Sequence, residues 1–301
     1  MGSRTYCTIC GNLHCYNRRL RTTWECMGEG GRVIANTLRE NENLAQLNMR
    51  DNRISDKARE LMDQSTMAQI KTLKLFDLGL SGLTHEGLHE IAQALRENTH
   101  LTQLDLLSEE GGEAIAQALR ENETLTQLEM QGNKLSDNPV VTIAQLLKEN
   151  KTLKQLSLGF NEISDERGIA MGHALEENRN LEFLDLSGNL LEDESGKAIA
   201  RGLRMNEALK ELDLCGNNIS EEGGKAIGQA LRENTTLTEL VLGADEGGKV
   251  FTRVLRVNKT LTRIDLRDNR ISDKGRKEII QAFKENENLI VRLYQFLKLI
   301  L

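Results

Sequence analysis

One proline, Pro139, stands in 301 residues. Proline breaks helix interiors and central strands, so its scarcity suits a chain that forms helices along its whole length. Aromatics are also scarce, with one Trp, three Tyr and six Phe. No run of about 18 apolar residues occurs, which excludes a transmembrane helix. The N-terminus carries Arg4, Arg18, Arg19 and Arg21 but no apolar stretch, so no secretory signal is expected. Met1-Gly2 opens like a myristoylation site, yet Tyr6 stands where Ser or Thr is required. There are five cysteines, four of them before residue 27. With no secretory signal, the expectation is reduced thiols in the cytoplasm. The net charge of -7 predicts a soluble protein with no attraction to nucleic acid.

What the chain does have is a period. Leu153-x-x-Leu156-x-Leu158-x-x-Asn161-x-Ile163 returns as Leu181, Leu184, Leu186, Asn189 and Leu191, then as Leu209, Leu212, Leu214, Asn217 and Ile219. The step is 28 residues, from 153 to 181 to 209 to 237. A fixed period of this size marks a solenoid, in which most residues serve stacking and function sits on surface columns. The leading residues read Leu44, Ile70, Leu101, Leu125, Leu153, Leu181, Leu209, Leu237 and Leu261. Alternation at Leu184-Asp185-Leu186 predicts a short strand with one face in a core and one in water.

A helix is expected after each strand. In Ile219-Ser220-Glu221-Glu222-Gly223 the serine fits an N-cap and the acids suit a helix start. Ala226-Ile227 and Ala230-Leu231 supply an apolar stripe. The helix exits at an asparagine column: Asn98, Asn122, Asn150, Asn178, Asn206 and Asn234. Asparagine tolerates the left-handed conformation that ends helices, which predicts that geometry here. A second column, Asn52, Asn133, Asn161, Asn189, Asn217 and Asn269, follows the strands and should bind turn backbone; Leu78 breaks it. Two repeats are 24 residues long, 101 to 125 and 237 to 261, and run into their helices at Gly111-Gly112 and Gly247-Gly248.

These patterns, L-x-x-L-x-L-x-x-N-x-I followed by G-G-x-A-I-x-x-A-L-x-x-N, resemble the ribonuclease-inhibitor-like class of leucine-rich repeats over roughly residues 28 to 290. They look most like the repeats of NOD-like receptors and more distantly like Ran GTPase-activating proteins. The resemblance implies an α/β solenoid, a horseshoe with parallel strands inside and helices outside. It says little about function, because the same solenoid serves many partners. The chain has no room for a receptor's nucleotide domain and no acidic C-terminal tail of the Ran-activator kind.

The expected organisation is an atypical N-terminal cap or leader over 1–27, a solenoid of about nine repeats over 28–288, and an apolar C-terminal cap over 289–301. Cys7-x-x-Cys10, His14-Cys15 and Cys26 could supply zinc ligands, but only one Cys-x-x-Cys pair is present. An irregular cap, in which Leu20 to Cys26 holds a degenerate strand, is the preferred reading. At the other end Arg292 falls at the second leucine position and makes the last strand imperfect.

His85-Glu86-Gly87-Leu88-His89 matches the H-E-x-x-H of zinc peptidases. By repeat alignment His85, Glu86 and Gly87 fall on Glu221, Glu222 and Gly223, variable positions at a helix start. Gly196-Lys197 and Gly224-Lys225 lack the rest of a phosphate-binding loop. No catalytic, metal or cofactor site is assigned.

The residue between the second and third leucines should face the concave side. Its column reads Asn48, Lys74, Asp105, Glu129, Ser157, Asp185, Asp213, Val241 and Asp265. Like charges about 4.8 Å apart on neighbouring strands repel, so a basic protein or peptide would relieve them. Phe183 on this face and Phe160 in the preceding turn are candidate anchors. The expected partner site is therefore Asp105, Glu129, Phe160, Phe183, Asp185, Asp213 and Asp265. The functional expectation is a non-catalytic protein-interaction module, in signalling or innate sensing. The alternative is a regulator of an enzyme, such as a GTPase activator or an enzyme inhibitor. Oligomeric state is left open.

Overall fold

The structure, a computed structural model, describes residues 14–16, 19–21, 45–48, 72–78, 85–106, 112–133, 135, 137–242, 258–265, 277, 281 and 290–292. The chain divides into two compact units, Met1–Leu135 and Ser136–Leu301.

In the first unit β1 (His14–Tyr16) runs antiparallel to β2 (Arg19–Arg21). Then β3 (Gln46–Asn48), β4 (Leu75–Leu78), β5 (Gln103–Leu106) and β6 (Gln127–Glu129) add in chain order, all parallel. Helices α1 (His85–Glu97) and α2 (Gly112–Ala118) follow β4 and β5. Leu20 of β2 pairs with Leu47 of β3.

The pairing corrects one repeat. Phe76 pairs with Leu47 on one side and Leu104 on the other, Leu78 pairs with Leu106, and Leu73 is buried. That repeat leads with Leu73, not Ile70. Asp77 rather than Lys74 stands in the column beside Asp105, and Lys74 is exposed. Leu78 is a core leucine and not a break in an asparagine column. The bulk of Phe76 at a leucine position hid this register.

The second unit alternates helix and strand: α3 (Asp137–Glu149), β7 (Gln155–Ser157), α4 (Asp165–Glu177), β8 (Phe183–Asp185), α5 (Asp193–Met205), β9 (Glu211–Asp213), α6 (Glu221–Leu231) and β10 (Glu239–Val241). Strands β11 (Arg263–Asp265) and β12 (Ile290–Arg292) continue the sheet. From β7 to β12 every neighbouring pair is parallel and in chain order. Parallel neighbours need a crossover each time, and the helices supply it. At the last strand Val291 pairs with Ile264 and Arg292 with Asp265. Val291, not Arg292, therefore holds the second leucine position.

The core of this unit lies between sheet and helices. Leu156, Leu158, Leu184, Leu186, Leu212 and Leu214 are fully buried, as are Met171, Leu175, Ile199, Leu203, Ile227 and Leu231. Each such side chain contributes roughly 1.5–3 kcal/mol by leaving water. The helices also sit close together. A Cβ at Gly172 would come within 2.5 Å of the Ala198 carbonyl carbon, so only glycine lets α4 approach α5 there.

The helix-exit asparagines do their work differently from the expectation. Asn178 (φ -70, ψ 134) and Asn206 (φ -87, ψ 127) are extended, not left-handed. Their value is in both ends of the amide. Asn206 Nδ2 donates to Leu175 O (2.9 Å) and Asn178 O (2.8 Å) of the preceding repeat, while Oδ1 accepts from Ala208 N and Leu209 N. Asn122, Asn178 and Asn234 repeat the pattern, and so does Asn258. All of these asparagines are buried. In the second column Asn52 and Asn269 lie outside the described residues, and the others bind turn backbone as expected: Asn189 Nδ2 donates to Leu158 O and Leu186 O, and Oδ1 accepts from Ile163 N.

Helix starts are capped from next door. Ser220 makes no side-chain cap to its own helix. Instead Asp193, in the first turn of the previous helix, accepts from Ser220 N (2.9 Å), Gly223 N (2.8 Å) and Ser220 Oγ (2.6 Å). Asp165 does the same for Glu192 N and Ser195 N. The orphan amides of one helix are thus satisfied by the repeat before it.

Two outcomes are expected. Leu186→Ala should cost about 2–5 kcal/mol in chemical denaturation, as buried leucine truncations do; a loss below about 0.5 kcal/mol would contradict the register. Burial raises the Asp193 pKa, but the hydrogen bonds from Ser220 and Gly223 and the Lys197 charge outweigh it and hold it below the ordinary value. Its contribution is therefore complete above the unfolded value of roughly 3.9 and fades as pH falls through the lower folded value. Parent and Asp193→Asn should differ in thermal midpoint at neutral pH and converge under acid; a constant gap would refute the linkage.

Candidate interaction surface

The strand residues that flank each buried leucine face away from the core and form two columns. In the first unit they are Gln103 and Gln127, then Asn48, Asp77, Asp105 and Glu129. In the second they are Gln155, Phe183, Glu211, Glu239 and Arg263, then Ser157, Asp185, Asp213, Val241 and Asp265. Of the residues expected to bind a partner, Asp105 and Glu129 belong to the first unit and the other five to the second.

The acidic column is only partly solvated. Asp185 and Asp265 are 5% and 1% exposed, while Asp105, Glu129 and Asp213 are half-buried. These carboxylates also hold the turns that follow their strands. Asp185 accepts from Ser157 Oγ (2.9 Å) and from Ser187 N (2.8 Å). Asp213 accepts from Cys215 N two residues on (2.9 Å). Each closes the turn that follows its strand, as short acidic side chains do. At Glu129 the carboxylate instead takes Gln127 Nε2 (2.9 Å). Asp77, missed in the sequence, accepts from Asn48 Nδ2 (2.6 Å). Continuing the 28-residue step backward from Leu101 to Leu73 would have found it.

The second unit's open face has a mixed character. Phe183 is half-buried, not fully exposed, and is paired in register with Gln155 and Glu211. Glu211 is exposed, and among the described residues its carboxylate has no hydrogen-bond or ion-pair partner, although its backbone N–H donates to Glu182 O (3.0 Å). Below this row runs a charge ladder: Glu182 bridges Lys154 (3.3 Å) and Lys210 (2.6 Å). Hydrogen bonds from Lys210 and then Lys154 hold the Glu182 carboxyl below the ordinary glutamate value. Farther along, Arg263 reaches Glu239 at 2.7 Å.

Phe160 lies in the turn after β7, 67% exposed, with φ 54. It does not tuck under the turn. Leu190, in the next turn, is 50% exposed and was not singled out in the sequence. The signal was there, since Glu162 and Asn218 fill the equivalent positions.

The H-E-x-x-H segment sits at the start of α1, as the repeat alignment implied, with His89 exposed. Among the described residues no group of three or more His, Cys, Asp or Glu could hold a metal ion. Cys7, Cys10 and Cys26 lie outside the described residues, as do Gly247-Gly248 and most of 289–301. Cys215 is half-buried and is not in a disulfide. No helix among the described residues is long and apolar enough to cross a membrane.

A family model of repeats agrees with this fold. Residues 121–144, 149–172, 177–200, 206–228 and 257–279 each match the family model described as Leucine Rich repeat. These segments are leucine-rich repeats, and the fold is an α/β leucine-rich-repeat solenoid. No curated protein matches the chain in sequence. Among solved structures it is similar to Leiomodin-1 Actin-Binding Site 2 (ABS2), at 22% identity and a TM-score of 0.43, over 48% of this chain and 87% of that one.

Two neighbouring acids should behave oppositely. Asp185→Ala strips two hydrogen-bond donors of a buried partner and should cost about 1–3 kcal/mol in denaturant titration. Glu211→Ala, on an exposed free carboxylate, should stay within about 0.5 kcal/mol. Equal effects would show that the column does not close its turns.

Proposed function

We propose that this chain is a non-catalytic protein-interaction module, and that a protein or peptide docks on the open sheet face of the second unit. One observation carries this reading. Phe183 stands beside the unpaired Glu211 on a face whose other carboxylates are largely committed to turns and ion pairs. A half-buried aromatic with a free charge next to it is the composition of an interface anchor. Asp213 extends the acidic patch, and Asp105 with Glu129 offer a smaller strip of the same kind on the first unit.

A basic partner suits this face, through Glu211 more than through the buried Asp185 and Asp265. Its charge would mainly speed association, and the effect would fade with salt. The resemblance to NOD-like-receptor repeats is what suggests a cytoplasmic signalling setting.

Affinity capture with mass spectrometry, followed by binding kinetics, tests the proposal. Glu211→Lys should slow association several-fold at low salt, with a smaller effect at high salt. Phe183→Ala should instead raise the dissociation rate, on the order of tenfold. Both variants should keep the parent's thermal midpoint. If a captured partner binds both variants like the parent and shields the helices from hydrogen exchange, the sheet face is not its site.

A further inference from the structure

Phe160 occupies a backbone conformation that its repeat reserves for glycine. The residues 28 before and 28 and 56 after it are Gly132, Gly188 and Gly216, with φ of 67, 63 and 68. Phe160 takes φ 54 at the same place and is the one non-glycine with positive φ among the described residues. An aromatic in the left-handed region is strained, because its Cβ crowds the following carbonyl. Such strain persists only where something else holds the residue there.

Packing inside this chain does not explain it. The Phe160 ring lies over Gly188, where a Cβ would meet ring carbon Cδ1 at 2.7 Å. The side chain still leaves 67% of its surface in water. On the adjacent turn Leu190 is 50% exposed, in a position that is polar in the turns on either side. The two turns are bonded to each other through Phe160 N to Ser187 O (2.7 Å) and Leu190 N to Ile163 O (3.0 Å). They place two large apolar groups along one edge of the sheet. Exposed Glu162 and Glu192 flank them, neither carboxylate has a partner among the described residues, and the turns 159–164, 187–192 and 215–220 contain no lysine or arginine.

We propose that this turn edge is a second docking surface, anchored by Phe160 and Leu190, for a cationic amphipathic helix of a protein partner. The proposal rests on the interaction-module reading but places the anchor on the turns and not on the sheet face. Apolar residues at helical spacing would cover Phe160 and Leu190, as helices laid on apolar surfaces do. Flanking lysines or arginines would meet Glu162 and Glu192, and a guanidinium or ammonium can also stack on the Phe160 ring. The strain at Phe160 is then the cost of projecting a ring where glycine would be easier.

The probe is a synthetic Leu/Lys peptide of about 18 residues with leucines at helical spacing. Its controls are a strictly alternating peptide of the same composition and a Leu/Glu counterpart. Binding to the full chain is read by fluorescence anisotropy at low salt. The parent should bind the amphipathic cationic peptide and neither control. Phe160→Gly should weaken that binding by about tenfold or more while its thermal midpoint equals or exceeds the parent's, since glycine relieves the strain. Leu190→Ser should weaken it several-fold, and Phe160→Asn, which tolerates the conformation, should match Phe160→Gly. Glu211→Lys on the sheet face should leave this peptide's affinity within about twofold. The edge is overturned if Phe160→Gly binds like the parent, if the parent binds no better than to the controls, or if Phe160→Gly melts several degrees lower, which would make the ring structural. None of these outcomes touches the sheet-face reading, which stands or falls on the captured partner and the Phe183 and Glu211 variants.

Discussion

A single amide, repeated at Asn122, Asn178, Asn206, Asn234 and Asn258, joins each of these repeats to the one before it. Asn206 donates to two carbonyls of the previous repeat and accepts from two amides that open its own strand. An apolar residue there would leave buried carbonyls and amides without partners, each costing about 1–3 kcal/mol. The strand's start is thereby fixed relative to the helix that precedes it, and the leucines that follow fall into one register. Parallel pairing of Leu156, Leu184, Leu212, Leu240 and Ile264 is the consequence.

The same logic of borrowed partners runs through the rest of the repeat. Asp193 and Asp165 cap the helix after their own. Asn189 serves carbonyls of two consecutive turns. Polar groups that elsewhere would be caps within one helix act here between neighbours. A repeat in this chain is therefore incomplete alone, and stability accrues from interfaces between repeats.

How much of this the sequence showed depended on whether a signal was periodic or geometric. The leucine register from Leu101 to Leu261, the strand–helix alternation and the turn asparagines could all be read directly, because steps of 28 or 24 residues repeat them. The repeat led by Leu73 was misplaced because Phe76 stands for a leucine, and the last strand slipped by one because Arg292 sits beside Val291. The exit asparagines were found for the wrong reason. Composition suggests a left-handed cap, whereas only coordinates reveal an extended backbone with a two-sided amide. The acidic column was legible as residues and not as chemistry. A carboxylate that closes its own turn looks, in sequence, the same as one waiting for a partner. Asp185 and Glu211 stand in different columns of the strand, and the burial and hydrogen bonding that separate their chemistry are not written in a single sequence.

Where a repeat constrains nearly every residue, the informative positions are those that break the pattern without helping the stack. Glycine at 132, 188 and 216 is what the left-handed turn demands, so Phe160 departs from the pattern against a local energetic preference. A departure that buried the ring would be ordinary core adjustment. This one leaves it mostly in water, so its stabilising contacts within the chain are few. Leu190 departs at the next turn and in the same direction, from polar to apolar. Two such departures on bonded neighbouring turns put function on an edge whose backbone the asparagine columns already hold rigid. A rigid mount is what lets an exposed aromatic bind without a large ordering cost, since little conformational freedom remains to be lost on docking.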